Sequence, residues 1–198
     1  MERTRGTLEI RLFDSNSGTV ETLGLDDADL SALEEHQLLW IDLEGGDSDC
    51  CEVAERLDLS PSLTRAFCDR SAMPELQVEN GCFFIRAVAV RHEGDLTFNG
   101  SVLAMLAGRN YVVTRRAEPV SFLSQLRERE ADDAGLGRLS ADSFVASLLD
   151  WHLNTYFEAV AAFEASDDRL ENEILDDRHA RCLQSLRGLR KAASRLRR

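Results

Sequence analysis

The chain has 198 residues, 43% of them hydrophobic, and carries 36 Asp and Glu against 23 Lys and Arg for a formal net charge of -13. That apolar content excludes wholesale disorder, and the length suits one large domain or one domain with an appendage. Such an acidic chain lacks the basic face that nucleic acid requires, and these residues contain no apolar run of about 18 that would form a membrane span.

Residues 7–13 (TLEIRLF) and 18–23 (GTVETL) read as two strands around a Ser-Asn-Ser-Gly turn. A short helical stretch is expected at 28–35, followed by the apolar strand in "QLLWIDLEGGDSD". Asp47 and Ser48 suit N-caps for "CCEVAERLDL", and Ser60-Pro61 places a capping residue before Pro at the first helical position of "PSLTRAFCD". Asn80-Gly81 is a strong hairpin signal, with further turns at Glu93-Gly94-Asp95 and Gly108-Arg109-Asn110. Between them, residues 82–90 and 102–107 are nearly continuous apolar runs, which predicts strands buried on both faces with helices covering each side. "EPVSFLSQLRERE" predicts a short amphipathic helix, and "ADDAGLGRLS" a polar connector.

From Ser140 the pattern is helical. Leu149, Leu153, Tyr156, Val160, Phe163, Leu170 and Ile174 form one seam at spacings of three and four, interrupted at Asp167. Leu175, Cys182, Leu186, Leu189, Ala193 and Leu196 form another that is out of register with the first. Asp176-Asp177 would disfavour the end of one helix dipole and favour the start of the next. The pattern predicts two helices, 142–175 and 178–198, folded as an antiparallel hairpin; a single helix with a register slip is the competing reading. The fold class is therefore α/β: a layered α/β/α domain with a mixed, largely antiparallel sheet over 1–139, then two long C-terminal helices over 140–198.

Signals for catalysis are missing. No Gly-x-Gly-x-x-Gly, Walker loop or Gly-x-Ser-x-Gly occurs, and the four histidines lack a zinc-protease pattern, so the reading is a non-enzyme with no organic cofactor. His179 and Cys182 share a helix face, but two ligands do not make a metal site. Asp47 and Asp49 form only a loose oxygen-ligand loop without EF-hand spacing. The five cysteines (Cys50, Cys51, Cys68, Cys82, Cys182) are odd in number and contain no Cys-x-x-Cys, and the N-terminus lacks a signal-peptide run, so reduced thiols in a cytoplasmic compartment are expected. Glu164, Asp167, Asp168 and Glu171 form an acidic helix face. Residues 140–177 hold ten acids against Arg169, while residues 178–198 carry eight Arg and Lys, so a hairpin would set opposite charges side by side. The remaining acidity attracts divalent cations through its summed field.

The ordered set of segments resembles a known family. "LLWIDLEG" with Trp40-Ile41-Asp42-Leu43, "PELQV" leading into "CFFIRAVAV", "SVLAMLAGRNYVVTRRAEPVSFLSQL" and "DDRLENEIL" follow one another as in the cytoplasmic domain of the CorA/ZntB divalent-cation transporters. The Asn110–Thr114 strand, Glu118-Pro119 before a helix, and the basic "LRGLRKAASRLR" also fit. The resemblance implies a homopentamer at the cytoplasmic face of the cell (inner) membrane, with Mg2+ or Zn2+ as transported and regulatory ion. It implies a stalk and two membrane spans with a Gly-Met-Asn signature, none of which these residues contain, so a domain cut before the stalk is expected. Cations bound between such domains hold the pore shut in magnesium-transporting members, and Glu93 and Asp95 are the candidates here for half of such a site. The function implied is a sensing and assembly domain. The rival reading is a free-standing acidic α/β adaptor that binds a partner helix through its helical hairpin.

Overall fold

In a computed structural model, described for residues 7–45, 47–71, 73–94, 97–129, 136, 138–175 and 179–196, seven strands are ordered β2-β1-β3-β7-β6-β5-β4. They are β1 (Thr7–Asp14), β2 (Thr19–Leu23), β3 (Gln37–Glu44), β4 (Glu75–Glu79), β5 (Cys82–His92), β6 (Phe98–Ala107) and β7 (Tyr111–Arg116). β3, largely apolar, and β7, which carries Thr114, Arg115 and Arg116 after an apolar start, lie at the centre, buried on both faces. β2 and β4, with mixed composition, take the edges. The β3–β7 pair is parallel, whereas β1–β2, β1–β3, β6–β7 and β4–β5 are antiparallel. The sheet is thus mixed and mostly antiparallel.

Among the described residues five α-helices accompany it: α1 (Asp47–Arg56), α2 (Pro61–Cys68), α3 (Ser121–Arg129), α4 (Ala141–Leu175) and α5 (His179–Leu196). The Ser60 Oγ accepts from Leu63 N at 3.2 Å, capping α2 ahead of Pro61. Ser140 does the same for α4, its Oγ 3.2 Å from Ser143 N. The helix expected at 28–35 is replaced by two 3-10 turns, Leu25–Asp27 and Leu30–Ala32. Gly24, at the cap of the first, has no side chain to accept a hydrogen bond, and so short a segment does not repay nucleation. Asn80 and Gly81 both take positive φ (53° and 76°), which closes the two-residue β4–β5 turn. Gly108 is required for space: a Cβ there would lie 2.3 Å from the Tyr111 ring.

The chain forms two units, Met1–Val88 with Ser101–Asp150, and Ala89–Gly100 with Trp151–Arg198. In the first, α1 and α2 cover one sheet face, where Ile10, Ile41, Leu43, Val53, Leu63, Phe67, Phe84, Leu106 and Val113 form the core. On the opposite face lie α3 and the first turns of α4, with Phe144 edge-on to Trp40 at 5.3 Å. Both faces are covered, as the apolar strands require.

In the second unit α4 and α5 pack as a pair. Phe98, Ala159 and Ala192 form one cluster with Val90, Ala162 and Phe163, and Leu170 and Leu189 form another. Ala159 meets Ala192, and Leu170, further along α4, meets Leu189, earlier in α5, so the helices run antiparallel and a single continuous helix is excluded. Phe163, Leu170 and Leu189 of the expected seams lie in these clusters, but the rest of the seam is shifted. Within this unit the buried line on α4 is His152, Ala159, Ser166 and Leu170, while Leu153, Val160 and Ile174 of the expected seam are exposed. In the second expected seam, Ala192 rather than Ala193 is buried on α5 and Leu186 is exposed, as is Leu175 at the end of α4. Small residues win because they let two helix backbones approach, which the bulky side chains one position away would prevent. Asp176 and Asp177 lie outside the described residues, as do the side chains of Cys182 and Leu196.

Candidate functional site

Glu93 follows the end of β5. Its carboxylate accepts from Asn99 Nδ2 at 2.7 Å and from Arg91 Nη2 at 2.6 Å, and these two donors hold its pKa below the ordinary carboxylate value. It is therefore ionised, but one neighbour already neutralises it. Asp95 lies outside the described residues. Glu164, Asp167, Asp168 and Glu171 are all exposed on α4. They continue the line of Leu153, Phe157 and Val160, which are 52%, 69% and 46% exposed. One face of α4 is thus apolar over its middle and acidic toward its C-terminal half. Among the described residues no group of three His, Cys, Asp or Glu is arranged to hold a metal ion.

The strongest electrostatic feature is one that the sequence reading passed over. Parallel pairing places Asp42 opposite Thr114 and Glu44 opposite Arg116 at the sheet centre. Trp40 Nε1 donates to Thr114 Oγ1 at 3.0 Å, and that hydroxyl donates to Asp42 Oδ1 at 2.7 Å. Arg116, completely buried, donates through Nη1 to Asp42 Oδ1 and through Nη2 to Glu44 Oε2 at 2.8 Å. From α3, Arg127 reaches Glu9 Oε2 at 3.2 Å and Asp42 Oδ2 at 3.5 Å. Arg11 pairs with Glu9 and donates to the Arg127 carbonyl at 2.9 Å. Three carboxylates and three guanidiniums thus neutralise each other and tie α3 to β1, β3 and β7. No positive charge is left over, so this cluster is a clamp and not a ligand site.

Two more arginines act on the other face. Arg86 donates to the Ala66 and Met73 carbonyls and pairs with Asp69 and Glu75, while Arg115 donates to the Phe67 and Asp69 carbonyls at 2.9 and 3.1 Å. They satisfy the free carbonyls at the C-terminus of α2 with the charge sign its dipole favours. In sequence, Arg86 and Arg115 interrupt apolar strands. Charged residues inside a doubly buried strand were the available signal for both arginine sets.

A layered α/β unit followed by a long helical pair is the architecture of the cytoplasmic portion of a class of metal-cation transporters. Its solved likenesses include the full-length CmaX protein (TM-score 0.72, 19% identity, 98% of this chain and 60% of that one) and the soluble domain of CorA from Methanocaldococcus jannaschii (0.74, 16%, 97% and 73%). The ZntB cytoplasmic domain from Vibrio parahaemolyticus RIMD 2210633 is a more distant likeness (0.51, 12%, 96% and 91%). The chain belongs to the CorA-like Mg2+ transporter protein family, whose model matches residues 35–198. That family is one of transporters and not of enzymes. No curated protein sequence matches the chain. The chain spans 60% of the length of full-length CmaX, and among the described residues no helix is long and apolar enough to cross a membrane.

Proposed function

We propose that this chain is the cytoplasmic sensing and assembly domain of a CorA-like divalent-cation transporter, working as a homopentamer at the inner face of the cell membrane. The observation that carries the assembly role is the face of α4: Leu153, Phe157 and Val160 lie exposed in a row at helical spacing. Such a row is the kind of surface that packing against further chain or a neighbouring subunit would cover. The family match and the formal charge of -13 support the sensing role. Mg2+, a hard ion that keeps most of its water, would be drawn to carboxylates such as Glu93, Asp95 and the acidic face Glu164, Asp167, Asp168 and Glu171. Zn2+ is the alternative ion.

Neighbouring subunits would have to complete any such site, because among the described residues none of these acids is grouped for coordination. Limited proteolysis of the membrane-extracted full-length assembly, across a millimolar Mg2+ titration, tests the proposal. Progressive protection is expected. A digestion pattern that does not change with Mg2+ overturns the sensing role, and a gene product that is soluble and bound to a different protein overturns the transporter assignment in favour of an adaptor.

A further inference from the structure

The thiols of Cys50, near the start of α1, and Cys68, the last residue of α2, lie with their sulfurs 2.7 Å apart. Both belong to or border the core between α1, α2 and the sheet. Cys50 is fully buried and Cys68 partly exposed, and neither is bonded to another cysteine. A disulfide needs about 2.05 Å between sulfurs, so a movement of well under 1 Å would join them. Packing alone would be met as well by Ala or Val, without a hydrogen-bonding sulfur pair at the helix junction.

The surroundings fit oxidation from the Cys68 side. Cys68 is the more accessible of the two. Arg115, anchored on the carbonyls of Phe67 and Asp69 that flank Cys68, favours thiolate at both sulfurs. Burial works the other way and raises both thiols, so the pair is slow to ionise and stays reduced until an oxidant is present.

We propose that Cys50 and Cys68 are a reversible redox pair that locks α1 to α2, with a low-molecular-weight disulfide as oxidant. The Cys68 thiolate attacks one sulfur of the oxidant, forming a mixed disulfide and expelling one thiolate. Cys50 loses its proton and attacks Cys68 Sγ, forming the Cys50–Cys68 bond and expelling the second thiolate. The two expelled thiolates take up the two protons. The protein's two thiols are oxidised by two electrons, and one disulfide is reduced to two thiols. The lock does not depend on the transporter assignment.

The test equilibrates the reduced full chain in glutathione and glutathione disulfide at a series of ratios. Thiols titrated after denaturation should fall from five to three, with the loss reversed by dithiothreitol. Non-reducing tryptic mass mapping should show the peptide of residues 12–56 joined to that of residues 66–70. The joined product should survive C51S and vanish in C50A and in C68S. Oxidation should raise the thermal midpoint of the parent by about 5 °C, and leave that of C68S unchanged. Five thiols at every ratio, glutathione attached to Cys51 alone, or a linked product that survives C50A but not C51S each overturns the proposal.

Discussion

Replacing Arg116 with Met tests the central clamp most directly. Met matches much of the length but removes the donors to Asp42 Oδ1 and Glu44 Oε2. Asp42 is 3% exposed, so water has no room to take their place. The Thr114 hydroxyl, 2.7 Å away, would still serve Oδ1. Arg127 would still lie 3.5 Å from Asp42 Oδ2 and 3.8 Å from Glu44 Oε2, which is attraction at longer range and not a direct substitute. Removing one partner of a buried ion pair costs about 3–5 kcal/mol, and the two surviving contacts place this case near the lower end, about 3 kcal/mol. In a chain of this size that lowers the thermal midpoint by about 6–12 °C. Urea unfolding followed by tryptophan fluorescence reads it, since Trp40 is bonded into the same cluster through Thr114. D42N/R116M should be more stable than R116M, because the uncompensated buried charge is gone. A loss below about 1 kcal/mol for R116M, or strict additivity in the cycle, refutes the claim that Arg116 holds Asp42 as a buried carboxylate.

Other outcomes follow from the same geometry. His152 is buried, its Nδ1 has no hydrogen-bond partner among the described residues, and burial lowers its pKa below 6.5. The neutral imidazole is therefore favoured in the folded chain. Its contribution is fully present above about pH 6.5 and is lost as pH falls toward the depressed value, so H152F should flatten the acid limb of a stability–pH curve. Ala159→Leu should overpack the α4–α5 contact with Ala192 and cost about 1–3 kcal/mol in urea unfolding, whereas Ala161→Leu, at an exposed position, should be near neutral. Ser60→Ala removes the α2 cap and its 2.8 Å bond to Glu79, and should cost about 1 kcal/mol by the same assay. Phe157→Glu should leave the melting of the isolated chain unchanged and weaken assembly of the full-length protein, read by light scattering after extraction; unaltered assembly would count against a packing role for that face.

The sequence by itself determined most of the local elements, the helix expected at 28–35 excepted. "QLLWIDLE" reads as an apolar strand, Asn80-Gly81 as a tight turn, and Ser60-Pro61 and Ser140 as helix starts, because each is settled by neighbours within a few residues. The helical pair was legible for the same reason, with both helices close to their expected bounds. The charge clamp was not. Asp42 and Arg116 are 74 positions apart, and each alone reads as a misfit in an apolar strand until parallel pairing of β3 with β7 brings them together. The line buried between α4 and α5 was likewise decided only in three dimensions. Sequence ranks side chains by hydrophobicity and so selects Leu153 and Val160, but two helices in contact select by volume, and the close approach goes to Ala159 and Ala192.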